Sequence, residues 1–172
     1  ASPPSNSTGE YLQIVTEEVD RIAGIVRQLL DLFRPHEDVF AEIDIEAVVD
    51  ETLLLLSHHA QACKVRIEQQ LPSRLPLIWC SAEQLKQVFL NLIINARDAM
   101  PDGGRIVLRS GTAQSSVRLE VSDTGSGIPP ENLDRIFDAF FTTKKEVSGV
   151  GLGLSVSYGI VQQHNGTINV QS

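Results

Sequence analysis

Three short signals follow one another in the second half of this 172-residue chain: Asn91-Leu92-Ile93-Ile94-Asn95, Asp123-Thr124-Gly125-Ser126-Gly127, and Gly149-Val150-Gly151-Leu152-Gly153-Leu154. The first sets two amides on one face of a helix. The second sets a carboxylate beside a tight glycine turn. The third is a glycine-rich backbone that runs into a helix. A fold that unites them must mix helices with strands and bring a helix face, a strand end and a helix start to one place. Such a set suits a metal ion, a base and a phosphate chain.

Composition supports a folded domain and removes several alternatives. Apolar residues make up 42% of the chain, enough for a core and too many for a disordered segment. The net charge of −8, with no basic cluster longer than Lys144-Lys145, argues against nucleic acid as a partner. Cys63 and Cys80 stand in no CxxC pair and have no histidine at metal-ligand spacing, so they read as small apolar residues of a reducing compartment. No apolar run approaches the ~20 residues of a membrane span, and there is no secretory signal. The expectation is a cytoplasmic segment without membrane contact, a reading compatible with a membrane-anchored parent.

Residues 1–8 are small and polar. Ser7 and Glu10 fit a capping box, and from there Leu12, Val15, Val19, Ile22, Val26, Leu29 and Phe33 recur at steps of three and four. This predicts a long helix stopped by Pro35. Its apolar stripe is narrow and has no matching seam elsewhere in the chain, so a partner helix is expected to cover it. Residues 36–44 form an acidic connector. Asp44 caps a helix over about 45–61, with Val48, Val49, Leu53 and Leu56 as its apolar side. Val65 and Ile67 lie in a half-buried strand, and Leu77-Ile78-Trp79-Cys80 reads as a short buried one. Ser81 and Gln84 open a helix to about Met100. Ile106–Leu108 and Val117–Val121 read as neighbouring strands, 131–137 as a short helix, 138–150 as a loop, 151–164 as a helix, and Ile168 and Val170 as a last strand. Strands that neighbour one another late in the chain indicate α+β.

On the 82–100 helix, Gln87, Asn91, Asn95 and Asp98 share one stripe of a mostly apolar element. Asparagine is a poor helix-interior residue, and an unpaired buried amide costs about 1–3 kcal/mol. Either neighbouring backbone satisfies these amides, or they serve as oxygen ligands for a hard cation and phosphates. Asp123 follows the alternating strand Val117, Leu119, Val121. It either makes an Asx turn or accepts a hydrogen bond from an exocyclic amine such as adenine N6, with Gly125 and Gly127 admitting the ring. Phe137, Phe140 and Phe141 stand beside Thr142, Thr143 and Lys144. They read as anchors of a loop, with Lys144 in reach of a phosphate, or as a plain surface loop. Gly149, Gly151 and Gly153 lead into a helix whose first N–H groups suit a phosphate. No Gly-Lys-Ser/Thr follows, so this is not a Walker-type loop.

In this order the segments resemble the ATP-binding domain of sensor histidine kinases, in the wider family shared with DNA gyrase, Hsp90 and MutL. Asn91–Ala96 resembles the N box, Asp123–Gly127 the G1 box, Ile136–Thr143 the F box and Gly149–Leu154 the G2 box. Phe140-Phe141-Thr142-Thr143-Lys144 resembles most the nitrogen-regulation type. The resemblance covers about 45–172, while the heptad helix resembles the second helix of a dimerisation and phosphotransfer domain. It implies a two-layer sandwich, a mixed sheet covered by three helices, after one long helix. The implied division is 1–34 for that bundle helix (with its first helix missing), 35–44 for a linker, and 45–172 for an ATP-binding domain truncated before its final strand.

The resemblance also implies the roles. Asn95 ligates Mg²⁺ and Asn91 assists at the phosphates of ATP. Asp123 reads the adenine amine, with Gly127 and Ile128 framing the ring and Gly125 also at the ATP site. Residues 138–153 form the lid, with Phe140, Thr142, Thr143 and Lys144 on its leading side and Gly149, Gly151, Leu152, Gly153 and Leu154 at the phosphates. Family members that hydrolyse ATP carry Glu where this chain has Asn91, so phosphoryl transfer to a protein is implied. A response-regulator receiver domain is the implied partner, and a homodimer through the heptad helix the implied assembly of the parent, with a weak or absent dimer for this chain alone. Three departures stand out. None of His36, His58, His59 and His164 has the phosphoacceptor context, so the acceptor is expected upstream. The chain stops before the final glycine-threonine segment. Asp98 replaces a lysine common in relatives. A degenerate scaffold module and an anti-sigma-type serine kinase are the alternatives.

Overall fold

The structure is a computed structural model; it describes residues 9, 11–16, 19, 39–60, 64–70, 75–113, 116–144 and 150–172. Of the expected long helix, residues 9, 11–16 and 19 are helical and exposed, with the Thr16 hydroxyl donating to the Leu12 carbonyl at 2.8 Å. The capping box at Ser7 and Glu10, the seam from Ile22 to Phe33, and His36 lie outside the described residues.

Strand β1 (Ala41–Ile43) pairs antiparallel with β3 (Ile78–Cys80), Ala41 opposite Cys80. Helix α1 (Ile45–Ala60) starts where Asp44 Oδ1 accepts the Glu46 N–H at 2.9 Å. It buries Ile45, Val48, Val49 and Thr52, one face at helical spacing. Thr52 is tolerated there because its hydroxyl donates to the Val48 carbonyl at 2.7 Å. Strand β2 (Val65–Gln70) runs parallel to β4 (Gly104–Ala113), and β4 pairs antiparallel with β5 (Ser116–Asp123), giving a mixed three-stranded sheet in the order β2-β4-β5.

Helix α2 (Ala82–Asp98) is capped by Ser81, whose hydroxyl oxygen accepts from the Gln84 N–H. It buries Leu85, Val88, Phe89, Ile93 and Ala96. The core lies between these residues, the inner face of α1, and Ile106 and Leu108 of β4, with Val117, Leu119 and Val121 of β5 closing it. Each large apolar side chain so buried stabilises the domain by about 1.5–3 kcal/mol. Helix α3 (Gly153–Gln163) packs on α2 and buries Ser157 and Ile160. The outcome is a mixed α+β fold in which α2 is central.

The structure departs from the sequence expectations in four places. The connector expected over 36–44 contains β1. The run Leu77-Ile78-Trp79-Cys80 is not buried on both sides: Cys80 points inward, whereas Trp79 is 67% exposed and Leu77 58%. The cause is the period of two in a strand of a two-stranded sheet with one covered face. The helix expected over 131–137 is a 3₁₀ turn at Pro130–Asn132 followed by turns. Its bonds run i to i−3, as in Asn132 N–H to Pro129 and Leu133 N–H to Pro130. Ile168 and Val170 form no strand: their alternation suits one, but a strand exists only by pairing, and none of the described strands pairs with them. The remaining helices begin and end within about two residues of expectation. Among the described residues, no helix is long and apolar enough to cross a membrane.

Candidate functional site

The two asparagines of α2 have different fates. Asn91 Nδ2 donates to the Gly153 carbonyl at 3.0 Å and to Ser157 Oγ at 3.2 Å, and the Ser157 hydroxyl itself donates to Gly153 at 2.8 Å. Asn91 thus fastens the first turn of α3 to α2. One helical turn on, half-buried Asn95 makes no side-chain hydrogen bond among the described residues. Its amide oxygen is available as a hard ligand. No group of three or more His, Cys, Asp or Glu side chains able to hold a metal ion exists among the described residues. A Mg²⁺ ion that keeps its waters and uses substrate phosphates needs only one or two protein oxygens, so Asn95 fits that requirement.

Asp98 lies three residues beyond Asn95, on the same side of α2. Its Oδ1 accepts from Arg97 Nε at 3.1 Å and from an Arg97 terminal nitrogen at 2.8 Å, and its Oδ2 lies 2.7 Å from Lys144 Nζ. Burial pushes the Asp98 carboxyl up, but the hydrogen bonds from Lys144 and Arg97 outweigh it and hold the pKa below the ordinary aspartate value. Two cations and one anion therefore cluster at the end of the asparagine stripe.

Asp123 ends β5, opposite Ile106. Its Oδ1 accepts the Gly125 N–H at 2.8 Å, which is the Asx turn, while the exposed carboxylate leaves Oδ2 without a hydrogen bond among the described residues. Both readings of this residue are thus compatible in one side chain. The turn is seated on the end of α2: the Ser126 N–H donates to the Ala99 carbonyl at 3.1 Å. A Cβ on Gly125 would come within 2.6 Å of the Ala99 Cβ, so glycine is required by close approach. Gly127 and the Ile128 N–H lie against Ser172, whose hydroxyl oxygen accepts from Ile128 at 2.6 Å.

The aromatic segment is anchored as expected, though not by every phenylalanine. Phe137 packs on Tyr158 at 5.3 Å between ring centroids, and the Arg135 guanidinium sits 4.6 Å over the Phe141 ring. Phe140 is 63% exposed and holds φ +67°, a strained conformation for an aromatic residue. Its N–H donates to the Gly151 carbonyl at 2.9 Å. Gly151 is at φ +72°, and a Cβ there would stand 2.5 Å from the Phe141 carbonyl oxygen. Phe140 and Gly151, eleven residues apart, are therefore joined backbone to backbone. Thr142 Oγ1 accepts the Lys144 N–H at 3.2 Å, and Thr143 is exposed. Leu152 is buried and gives α3 no side-chain cap, so among the described residues the first N–H groups, from Gly153 and Leu154 onward, are left for another acceptor. Gly149 lies outside the described residues.

Sequence reasoning did not foresee the far end of α3. There the Ser81 N–H donates to His164 Nε2 at 3.0 Å, His164 Nδ1 lies 2.8 Å from the Ile160 carbonyl, and the Phe40 ring packs on the imidazole. Gln84 Nε2 adds a bond to Gln163 Oε1 at 3.1 Å. His164 is a structural residue, as its sequence context suggested. Cys80 is too: burial pushes its thiol pKa up. Cys63 lies outside the described residues.

Comparison with known proteins identifies the family. Residues 80–172 match the model of the histidine kinase-, DNA gyrase B- and HSP90-like ATPase family. Sensor histidine kinase ZraS of Escherichia coli (strain K12) is 34% identical over 171 residues, covering 99% of this chain and 36% of ZraS. Sporulation kinase E of Bacillus subtilis (strain 168) is 37% identical over 163 residues, covering 94% of this chain and 22% of the kinase. The chain thus spans well under half the length of these curated relatives. Among solved structures, full-length ShkA in complex with AMPPNP superposes with a TM-score of 0.71 at 28% identity, over 92% of this chain and 35% of ShkA. Histidine kinase ThkA in complex with the response regulator protein TrrA gives 0.75 at 25% identity, over 96% of this chain and 47% of that one. The chain belongs to the histidine kinase-, DNA gyrase B- and HSP90-like ATPase family and is a catalytic ATPase domain of the sensor histidine kinase kind.

Proposed function

We propose that this chain binds Mg-ATP and transfers the γ-phosphoryl group to a histidine on a separate helix of a two-component sensor kinase. The observation that carries the proposal is the fate of Asn91. An amide tied to Gly153 and Ser157 has no capacity to take a proton from water. With no base there, positioning and charge stabilisation remain as the means of transfer to a protein nucleophile.

The remaining roles follow. Asp123 accepts the adenine amine through Oδ2, with Gly125, Gly127 and Ile128 framing the ring. Asn95 offers its amide oxygen to Mg²⁺, an ion that would neutralise phosphate charge when bound. Asn91 assists by fixing Gly153. Phe140, Thr142, Thr143 and Lys144 lead into the lid, and Gly149, Gly151, Leu152, Gly153 and Leu154 carry backbone N–H groups toward the phosphates. The acceptor imidazole nitrogen attacks the γ-phosphorus, the bond to the bridging oxygen breaks, and ADP leaves.

In this reading residues 1–34 are one helix of a dimerising bundle and 35–44 a linker whose Ala41–Ile43 are already strand β1. Residues 45–172 are the ATP-binding domain, a two-layer sandwich whose mixed sheet is covered by three helices. The phosphohistidine is relayed to a response-regulator receiver domain, and the kinase core works in the cytoplasm. The test mixes this chain and radiolabelled ATP with a histidine-bearing dimerisation segment. Acid-labile label on the segment is the expected result. No label with a folded, nucleotide-bound chain overturns the proposed transfer and leaves a scaffold role.

A further inference from the structure

We infer that Asp98 is a positioning residue: it holds Lys144 beside the Asn95 face of α2, so that the lysine ammonium sets the charge that a phosphate chain meets there. The inference rests on the nucleotide-binding reading above and adds a role within it.

A carboxylate three residues from Asn95, on the same side of the helix, looks out of place where phosphates are to bind. Left alone it would repel them. It is not alone. Both oxygens are spoken for, Oδ1 by Arg97 and Oδ2 by Lys144. The Asp98 side chain is only 19% exposed and that of Lys144 34%, so the pair is partly shielded from water and salt. Lys144 comes from a segment 46 residues away in sequence. Its own N–H donates to Thr142 Oγ1 at 3.2 Å. An ammonium carries three donors. One is given to Asp98, and no other Lys144 Nζ bond exists among the described residues, which leaves two donors for phosphate oxygens. Counting Arg97, the cluster has a net charge of +1.

Holding and repelling predict opposite signs. If Asp98 acts only as an anion near the phosphates, Asp98→Asn tightens nucleotide binding. If it holds Lys144, Asp98→Asn weakens binding because the ammonium is no longer ordered. The experiment is calorimetric titration of the chain with Mg-AMP-PNP and with AMP, for the wild type, Asp98→Asn, Asp98→Glu, Lys144→Met, the double variant Asp98→Asn/Lys144→Met, and Asp123→Asn. Lys144→Met and Asp98→Asn are each expected to weaken AMP-PNP by about 10-fold, the cost of one charge-assisted hydrogen bond. AMP, which lacks the outer phosphates, is expected to change by less than about 2-fold. The double variant should be no weaker than Lys144→Met alone, and Asp98→Glu should recover most of the loss.

Tighter binding by Asp98→Asn, an equal loss of AMP and AMP-PNP, or additive losses in the double variant overturns the inference. If Asp98→Asn fails to fold by circular dichroism, Lys144→Met and Lys144→Arg carry the test: the first must lose AMP-PNP selectively and the second must keep it. Asp123→Asn separates this failure from that of the parent reading. Unchanged binding in Asp123→Asn overturns the nucleotide site itself, whereas loss there with no loss in Lys144→Met overturns only the holding role.

Discussion

The turn at Asp123 and the segment from Phe140 to Gly153 are both glycine-rich, yet they are held by different forces. The Asp123 turn is set mostly by backbone, through β5 pairing to Ile106, the Ser126 N–H on Ala99 and Gly125 pressed against the end of α2, with one side-chain bond from the Gly125 N–H to the Asp123 carboxylate. Among the described residues the second segment is held by two kinds of tie. One is the backbone bond between Phe140 and Gly151, and the other is the set of side-chain ties, Asn91 to Gly153 and Lys144 to Asp98. The backbone and amide ties carry no titrating group, whereas the Lys144–Asp98 ion pair responds to pH and salt.

The largest test of this contrast is at the backbone bond between Phe140 and Gly151. Gly151→Ala places a Cβ 2.5 Å from the Phe141 carbonyl oxygen in a left-handed backbone. It is expected to cost about 2–4 kcal/mol in urea unfolding, the sum of backbone strain and overpacking. Gly153→Ala is the control. Its nearest neighbour would be Asn91 Cγ at an ordinary 3.6 Å, so it is expected to cost less than about 0.5 kcal/mol. Equal costs would break the comparison.

A smaller effect is expected from Asn91→Ala, which removes two hydrogen bonds to the first turn of α3. We expect a loss of about 1–3 kcal/mol, accompanied by faster hydrogen exchange in α3 and unchanged exchange in β5. Protection lost equally in both would mean that the two regions are a single cooperative unit.

The smallest effect concerns acid. The Asp98 pKa is lowered in the folded state, so the stability this group contributes is fully present above the unfolded aspartate value and is lost as pH falls through the lower, folded value. The stability gap between wild type and Asp98→Asn should therefore be constant near neutrality and close only in the acid range, below the ordinary aspartate value. A gap that closes between pH 6 and 8 would point to another group.

Much of this was legible in the sequence because it depends on short-range pattern. Helices α1 and α2 were visible from capping residues and periodic apolar positions, Asp44 and Ser81 doing what such residues do at helix starts, and α3 from the glycine run that leads into it. The ladder β4–β5 was visible from alternation. What escaped depends on partners. Ala41-Glu42-Ile43 has weak strand propensity and becomes β1 only because β3 offers an edge. Ile168 and Val170 have the propensity and no partner among the described strands. At the site, the chemistry-bearing residue types were readable, but which asparagine is consumed by structure was not. That depends on Gly153 and Ser157, 62 and 66 residues away from Asn91. Asp98 looked anomalous in sequence for the same reason, since the compensating Lys144 lies on another element.

The central claim is that the Asp123 turn and the asparagine face of α2 form one nucleotide site. Its most direct test is calorimetric titration of this chain with AMP-PNP, with and without Mg²⁺, beside Asp123→Asn. Asparagine keeps the oxygen that accepts from Gly125 and loses the charge. The account predicts saturable binding strengthened by Mg²⁺ and weakened about 10- to 100-fold by Asp123→Asn, with the thermal midpoint of the free protein little changed. A folded wild-type chain that gives no heat with AMP-PNP, or an Asp123→Asn variant that binds as tightly as wild type, would contradict it.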